Sequence, residues 1–345
     1  VKKMLYQICI FLLTFFGICT ANACDKYEND IITYKIYDLV LERYIIYISD
    51  KIATEHEALN IEISNQYLPK ACCNLFQLTH KVMSLSIGNC DLKKLQPNCY
   101  ENEFEHITHE IDFSFNQIEV IHKGTFKKLQ ILGIYLRSNL IKTIENGAFL
   151  NLPNLNTVDL ANNLLHTLNS HAFLDVPVLS SLDFQCNNVE LLEKENFNFL
   201  GEYHAYIDLS NNNISAIESR VFEKAAANTL SVDLSANAIE LIPENLFDNY
   251  IFSYLDLGCN PILDLSGLYE NNYSISFLYV NSTFLDRVNF KNFATWADSR
   301  NIKLVESSCV GKEMCKELRN CSSKKNNSGF YYAAIFAILR SVHLG

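Results

Sequence analysis

Apolar residues recur along most of the chain with the spacing L-x-x-L-x-L-x-x-N-x-L-x-x-L. Residues 155–168 (LNTVDLANNLLHTL) and residues 229–242 (TLSVDLSANAIELI) both follow this pattern. Its asparagine, which we call position nine, occurs at Asn116, Asn139, Asn163, Asn187, Asn212, Asn237 and Asn260. Successive asparagines lie 23 to 25 residues apart. A period of this length indicates an array of stacked turns, each of which buries its apolar face against its neighbours.

A phenylalanine ten residues after each of the first six asparagines fixes the phase of the repeat. These residues are Phe126, Phe149, Phe173, Phe197, Phe222 and Phe247. Extending the register backwards aligns Cys90 and then Gln66 with position nine, and extending it forwards gives a degenerate unit over residues 275–283. The pattern therefore predicts about ten repeats within residues 58–283, of which the first two and the last are atypical.

The alternation of apolar and polar residues in L-x-L predicts one short strand per repeat, with one face buried. Successive strands would pair in parallel and line the concave side, which would be about 45 Å long for ten strands. We expect each asparagine to hydrogen-bond backbone groups of neighbouring turns, because these groups would otherwise be buried and unpaired. The phenylalanines would fill the convex side of the core. The predicted fold class is α/β, a solenoid (horseshoe) with a concave parallel β-sheet and terminal caps.

The repeat motifs resemble the extracellular leucine-rich-repeat superfamily over about two-thirds of the chain. The Ile- and Tyr-rich N-terminal segment and the cysteine-containing C-terminal segment make it most similar to insect leucine-rich immune or cell-surface proteins. The resemblance implies a leucine-rich-repeat solenoid that binds other proteins. Caps of this family typically open with C-x-C, whereas residues 284–287 (FLDR) stand at that place here. Only Trp296 and the cysteines that follow it match the family's cap.

The N-terminus has the features of a secretory signal. Lys2 and Lys3 precede an apolar run over residues 5–18, and Ala21-Asn22-Ala23 supplies small residues for cleavage before Cys24. We therefore predict a signal peptide over residues 1–23. A membrane anchor is the alternative, although the apolar run is short for a membrane span.

The segments on either side of the repeats are predicted to cap the solenoid. Residues 24–57 would form a strand-rich N-terminal cap. Residues 284–321, with an amphipathic stretch around Trp296, would form the C-terminal cap. Residues 322–345 form a polar spacer and a hydrophobic tail, as in a signal for a lipid (GPI) anchor. The sequence leaves open whether the protein is secreted or GPI-anchored at the cell surface.

Most cysteines outside the predicted signal peptide lie towards the two ends of the chain, which favours disulfide-stapled caps in an oxidising compartment. The disulfide candidates are Cys24, Cys72, Cys73, Cys99, Cys309, Cys315 and Cys321. Cys24 could pair with Cys72 or Cys73, and Cys73 could instead pair with Cys99. The connectivity is not determined by the sequence.

Three cysteines inside the repeats are not expected to bridge one another. Cys186 and Cys259 are three repeats apart, or about 14 Å, which is too far for a disulfide between them. We expect them to be free thiols or to form an intermolecular link. Cys90 occupies position nine and is expected to be a buried substitute for asparagine.

Charge and glycosylation signals agree with export. The formal net charge is −11, which would repel phosphate backbones, so we expect no nucleic-acid binding. Five N-x-S/T sequons are candidate glycosylation sites: Asn213, Asn272, Asn281, Asn320 and Asn326.

Repeat position five is expected to face solvent on the concave side, where it is mostly aspartate. With neighbouring tyrosines it gives the candidate partner-binding residues Asp112, Tyr135, Asp159, Asp183, Tyr206, Asp208, Asp233, Tyr254, Asp256 and Tyr279. The acidic stripe could dock a basic partner. Alternatively, the aspartates only keep the sheet soluble. Tyr206, Tyr254, Phe277 and Tyr279 are aromatic anchor candidates.

The sequence contains no recognisable catalytic or cofactor-binding motif. His106, His109 and Glu110 form H-x-x-H-E, but this motif enters a predicted strand and lacks a third metal ligand. We therefore predict a protein without enzymatic activity, metal or cofactor. The first hypothesis is an extracellular recognition protein of innate immunity that binds a protein on its concave face, alone or in an oligomeric or heteromeric complex. One alternative is a GPI-anchored adhesion or guidance protein, which would contact the membrane only through that anchor. A second alternative is a structural matrix component.

Overall fold

The computed structural model describes residues 32–306 apart from short gaps. The gaps are at residues 39–42, 50–51, 54–57, 69, 72–75, 99, 101–103, 202–203, 224, 228, 245, 247–249, 270–273 and 281–286. The predicted signal peptide, the hydrophobic tail and the seven end-clustered disulfide candidates lie outside the described residues.

One long sheet of thirteen strands runs through the described part of the chain. In sheet order its strands are β2 (Arg43–Ser49), β1 (Ile32–Asp38), β4 (Ala58–Ser64), β7 (Val82–Gly88), β9 (Ile107–Asp112), β12 (Gly133–Tyr135), β15 (Thr157–Asp159), β17 (Ser181–Asp183), β19 (Ala205–Asp208), β21 (Thr229–Asp233), β22 (Ile251–Asp256), β23 (Ser274–Val280) and β24 (Lys303–Glu306). From β4 onward, neighbouring strands follow chain order and pair in parallel. The ten strands from β4 to β23 correspond to about nine turns, and the predicted parallel-sheet solenoid is confirmed.

Two-residue strands lie on the other sides of the solenoid in most turns as far as residue 217. They are β3 (Ile52–Ala53), β5 (Lys70–Ala71), β6 (Phe76–Gln77), β8 (Lys94–Leu95), β10 (Val120–Ile121), β11 (Phe126–Lys127), β13 (Thr143–Ile144), β14 (Phe149–Leu150), β16 (Phe173–Leu174), β18 (Leu191–Leu192) and β20 (Ala216–Ile217). Short 3₁₀ turns occur at Ser170–Ala172 and Ser266–Leu268. The closing segments therefore contain little helix.

The position-nine asparagines form a buried ladder that joins successive turns. The Asn187 side-chain amide donates to the carbonyl oxygens of Leu160, one turn earlier, and of Phe184, at 3.0 and 2.9 Å. Its Oδ1 accepts from the Leu165 backbone N–H at 3.0 Å. The same pattern of bonds recurs at Asn116, Asn139, Asn163, Asn212, Asn237 and Asn260. Each asparagine thus satisfies three backbone groups that water cannot reach.

Cys90 takes the place of asparagine in the first part of this ladder. It is buried and free. Its Sγ lies 3.3 Å from the Gly88 carbonyl oxygen, and its backbone N–H donates to Asn116 Oδ1 at 3.1 Å. Burial raises the pKa of the Cys90 thiol to about 11. The expectation of a buried substitute for asparagine is confirmed.

The phenylalanines stack on the side opposite the main sheet, as expected, but the stack changes register once. Ring centroids are 5.3 Å apart for Phe126 and Phe149 and 4.8 Å for Phe149 and Phe173. Phe173 then stacks on Phe199 at 4.3 Å, whereas Phe197 stacks on Phe222 at 5.1 Å. Phe197 and Phe199 belong to one turn, so the stack is offset by two residues there.

Both ends of the sheet carry elements that differ from the repeats. At the N-terminal end, β1 pairs antiparallel with both β2 and β4. At the other end, helix α1 (Arg287–Ser299) buries Phe293 and Ala297, and its Trp296 packs edge-on against Tyr269 with centroids 5.2 Å apart. The apolar residues at i, i+3 and i+7 (Phe290, Phe293 and Ala297) place one stripe of the helix on the core. Strand β24, which the sequence did not predict, continues the sheet beyond this helix.

Every central turn leaves its strand through a residue with positive φ at position eight. These residues are Phe115, Ser138, Asn162, Cys186, Asn211, Ala236 and Cys259. Cys186 and Cys259 are both disulfide-bonded, so the expectation of free thiols is wrong. The sequence argument excluded only a bond between these two, and three strand spacings still separate them.

The asparagine ladder generates a stability prediction. The substitution Asn187→Ala leaves two carbonyl oxygens and the Leu165 N–H without this partner, which we expect to cost about 3 kcal/mol of unfolding free energy. Urea denaturation followed by circular dichroism measures the change. The exposed Asn198→Ala serves as the control and should cost less than about 0.5 kcal/mol. A loss at Asn187 no larger than that at Asn198 would contradict the assigned role.

Candidate functional site

The position-five residues form one continuous row across the exposed face of the main sheet, which is the concave side of a solenoid of this kind. Backbone register places each directly beside the next: Asp112, Tyr135, Asp159, Asp183, Asp208, Asp233, Asp256 and Tyr279. We call this set the position-five row. Neighbouring strands are about 4.8 Å apart, so its carboxylates are brought close to one another.

Each aspartate of the row also holds the turn that follows its strand. One carboxylate oxygen of Asp208 accepts a hydrogen bond from the Ser210 backbone N–H, two residues later, at 2.9 Å. Equivalent bonds of 2.7 to 2.9 Å are made by Asp112, Asp159, Asp183, Asp233 and Asp256. Aspartate is well suited to this local turn. Position five therefore has a structural role that sequence reasoning missed. The turn uses only one of the two carboxylate oxygens of each aspartate.

Arg137 lies over the N-terminal half of the row and was also missed. Its Nε is 2.9 Å from Asp159 Oδ2, and its Nη2 is 2.5 Å from Asp183 Oδ2. Burial opposes its charge, but the two aspartates raise the pKa of the guanidinium above its ordinary value. Arg137 stands at position seven, where later repeats carry small or uncharged residues: Ala161, Gln185, Ser210, Ser235 and Gly258. This charged exception was the sequence signal for its role.

The C-terminal half of the row contains aspartates without such a cation. Among the described residues, no Lys or Arg forms an ion pair with Asp208, Asp233 or Asp256. Burial and the neighbouring carboxylates raise the pKa values of Asp208 and Asp233 to about 7. Burial likewise raises the pKa of Asp256 above its ordinary value. These carboxylates are held close together in a part-buried, strongly acidic environment.

Aromatic side chains surround these three carboxylates. Tyr206 is 41% exposed, and Tyr254 and Tyr279 have ring centroids 5.0 Å apart. The Tyr254 hydroxyl donates to Asp256 Oδ2 at 3.1 Å. Phe277 is also exposed, and Lys303 Nζ lies 5.0 Å from its ring centroid. The structure thus brings the aromatic residues identified from the sequence together with the three aspartates that have no ion-pairing Lys or Arg among the described residues.

Other candidate sites are either separate from this face or outside the described residues. His109 and Glu110 are exposed on β9. In the part of the chain that the structure describes, no three His, Cys, Asp or Glu side chains are placed to hold a metal ion. Asn213 is exposed. The other four sequons, at Asn272, Asn281, Asn320 and Asn326, lie outside the described residues. Within the described residues, no helix is long and apolar enough to cross a membrane.

Comparison with known proteins agrees with this architecture. The leucine-rich-repeat family model matches residues 106–160 and, in an overlapping second match, residues 133–189. No curated protein matches the chain at a significant level. Together with the solenoid, the family matches support a leucine-rich-repeat fold. Proteins of this class are typically non-enzymatic scaffolds that bind other proteins.

The raised pKa values predict how stability depends on pH. A carboxyl whose pKa is higher in the folded state favours folding when protonated, and this contribution is lost as pH rises from about 4 through about 7. The double substitution Asp208→Asn and Asp233→Asn keeps the turn-holding oxygens but removes both charges. We expect it to be more stable than the native protein at pH 8, by about 2 kcal/mol after allowing for solvent screening.

Urea denaturation at pH 5 and pH 8 measures this effect, and the difference between the two proteins should shrink at pH 5. Substituting Asp175 and Asp298, which are exposed and outside the row, makes the same charge change and serves as the control. Equal pH dependence in the native protein and the row variant would show that these aspartates are not perturbed.

Proposed function

We propose that this protein is an extracellular recognition protein, acting in innate immunity, that binds a basic protein partner on its concave face. The observation that carries the proposal is the group Asp208, Asp233 and Asp256, which has no ion-pairing Lys or Arg in the described structure. A partner's Arg or Lys side chain would supply the missing charge. Charge-assisted hydrogen bonds to carboxylates are among the stronger polar contacts at interfaces.

Arg137 supports this proposal as an internal example of the same interaction. Its guanidinium spans two successive aspartates of the position-five row. The backbone repeats with the same register in the C-terminal half, so a guanidinium from a partner could span Asp208 and Asp233 in a similar way. Among the described residues, no cation in that half takes the place of Arg137.

The tyrosines would supply the apolar part of the interface. Tyr206 is already exposed, and Tyr254 and Tyr279 form a packed pair that begins two strands away on the same face. Rigid aromatic side chains lose little conformational entropy on binding and are enriched among residues that dominate binding energy. Their rings also attract cations. A partner rich in Arg or Lys would therefore find both charge and aromatic surface.

An extracellular location is part of the proposal. It rests on the signal-like N-terminus and on the sequons, and the disulfide-bonded state of Cys186 and Cys259 supports an oxidising compartment. The immune role rests on the resemblance, over about two-thirds of the chain, to insect leucine-rich immune or cell-surface proteins.

Comparative affinity capture from extracellular fluid tests the proposal. The native protein is used beside the Asp208→Asn/Asp233→Asn variant and the Asp175→Asn/Asp298→Asn control, which has the same net charge as the variant. We expect the native protein and the control to retain a basic protein. The amount retained by the row variant should be at least tenfold lower. Added salt should weaken its retention, because the contact is partly exposed. Equal retention by all three proteins would contradict the proposed face.

A further inference from the structure

A second feature lies away from the concave face, where the two-residue strands that follow each asparagine form a lateral ladder. Strand β10 pairs with β13, and β18 pairs with β20. Thr167 and Leu168 hold the corresponding place in the turn between β13 and β18, four and five residues after Asn163. They belong to no strand and pair with neither neighbour. The lateral ladder is therefore interrupted at this turn.

Side-chain amides replace backbone hydrogen bonds at the interruption. On either side of it, backbone N–H groups bond directly to the preceding turn, as Glu145 does to the Ile121 carbonyl oxygen at 2.9 Å. At the interruption, Asn169 Nδ2 donates to the Ile144 carbonyl oxygen at 2.9 Å, and Asn196 Nδ2 donates to that of Leu168 at 3.1 Å. A side-chain amide is longer than a backbone N–H, so the turns that it joins are held further apart.

The change of register in the phenylalanine stack falls at the same place. Phe173 packs on Phe199, whereas Phe197 packs on Phe222 in the next turn. Phe173 and Phe197, which stand at equivalent sequence positions, therefore do not stack on each other. The space between them is left open towards the interrupted lateral ladder.

These features enclose a cavity of about 380 Å³, which we call the interturn cavity. Its buried wall consists of Asn196 and six apolar residues, Ile144, Leu165, Leu168, Phe173, Phe184 and Phe197. The Asn196 amide group is already bonded, because its Nδ2 donates to the Leu168 carbonyl oxygen and its Oδ1 accepts from the Glu193 backbone N–H. Polar side chains at its mouth include Thr143 and Thr167, which are exposed and whose hydroxyl groups make no hydrogen bond to the described residues. Lys142, Asn169 and Glu193 also line the cavity, so its surface combines an apolar interior with a strongly polar mouth. Its volume lies in the range of small-molecule sites.

We propose that the interturn cavity binds a small aromatic molecule with a hydroxyl group at one end. Its ring would lie against Phe173 and Phe197. Both faces of Phe173 are covered by Phe149 and Phe199, so Phe173 offers its edge for edge-on packing. The hydroxyl of the ligand would exchange hydrogen bonds with Thr143 and Thr167 at the mouth. An aromatic ligand suits the three phenylalanine rings of the wall, and one polar end suits the two threonine hydroxyl groups at the mouth. This site is separate from the concave face and does not depend on the proposed protein partner.

Binding of 2-naphthol to the full chain, measured by equilibrium dialysis, tests this site. Thr167→Trp places a large side chain at the mouth, at an exposed position where folding should be unaffected. Ala216→Trp is the matched control, because Ala216 is exposed and holds the same repeat position in β20, where the lateral ladder is intact. We expect saturable binding at one site per chain, at least tenfold weaker in Thr167→Trp and unchanged in Ala216→Trp.

The proposal is overturned if the native chain shows no saturable binding, if Thr167→Trp binds as well as the native chain, or if the control loses binding equally. Should Thr167→Trp fail to fold, as judged by circular dichroism, Thr143→Trp closes the mouth from the opposite side. The same tenfold loss is expected there, and undiminished binding to that variant would overturn the site.

Discussion

The structure depends on the need to satisfy backbone polar groups at the point where each turn leaves the sheet. These groups are buried between successive turns. Leaving one of them without a partner costs at least as much free energy as losing a hydrogen bond. A single asparagine meets the need, because its amide has two donors and one acceptor in one plane. Asn163, for example, donates to the Leu136 carbonyl oxygen and accepts from the Ile141 backbone N–H, both of which belong to the preceding turn. The repetition of this residue keeps successive turns in register.

That register also creates the electrostatic character of the concave face. Because every turn repeats the one before it, a residue at position five always lies beside its equivalents. An aspartate there holds its own turn through one oxygen but accumulates like charges along the sheet. Arg137 offsets this repulsion at Asp159 and Asp183, whereas no equivalent cation accompanies Asp233 in the described structure. A local structural advantage in each turn thus leaves a surface suited to a basic partner.

The sequence predicted those parts of the fold that depend on periodicity. The asparagine and phenylalanine spacings located the turns, and L-x-L alternation located the strands. Arg137 was missed because its importance comes from aspartates one and two turns away, which no local pattern relates to it. The stacking of Phe173 on Phe199 was missed because a period identifies equivalent positions, and a two-residue shift inside one turn leaves the period almost unchanged. The bonded state of Cys186 depends on tertiary proximity, which spacing alone does not determine.

The central claim is that no cation among the described residues pairs with the C-terminal half of the position-five row as Arg137 pairs with the N-terminal half. Ser210 follows Asp208 by two residues, as Arg137 follows Tyr135, so Ser210→Arg should span Asp233 and Asp256 as Arg137 spans its two aspartates. The most direct measurement is the unfolding free energy of Ser210→Arg against that of Ser210→Gln, which copies Gln185 at the same repeat position. We predict that the arginine variant is more stable at pH 8, by about 2 kcal/mol, with a smaller difference at pH 5. An arginine variant no more stable than the glutamine variant at pH 8 would contradict the claim.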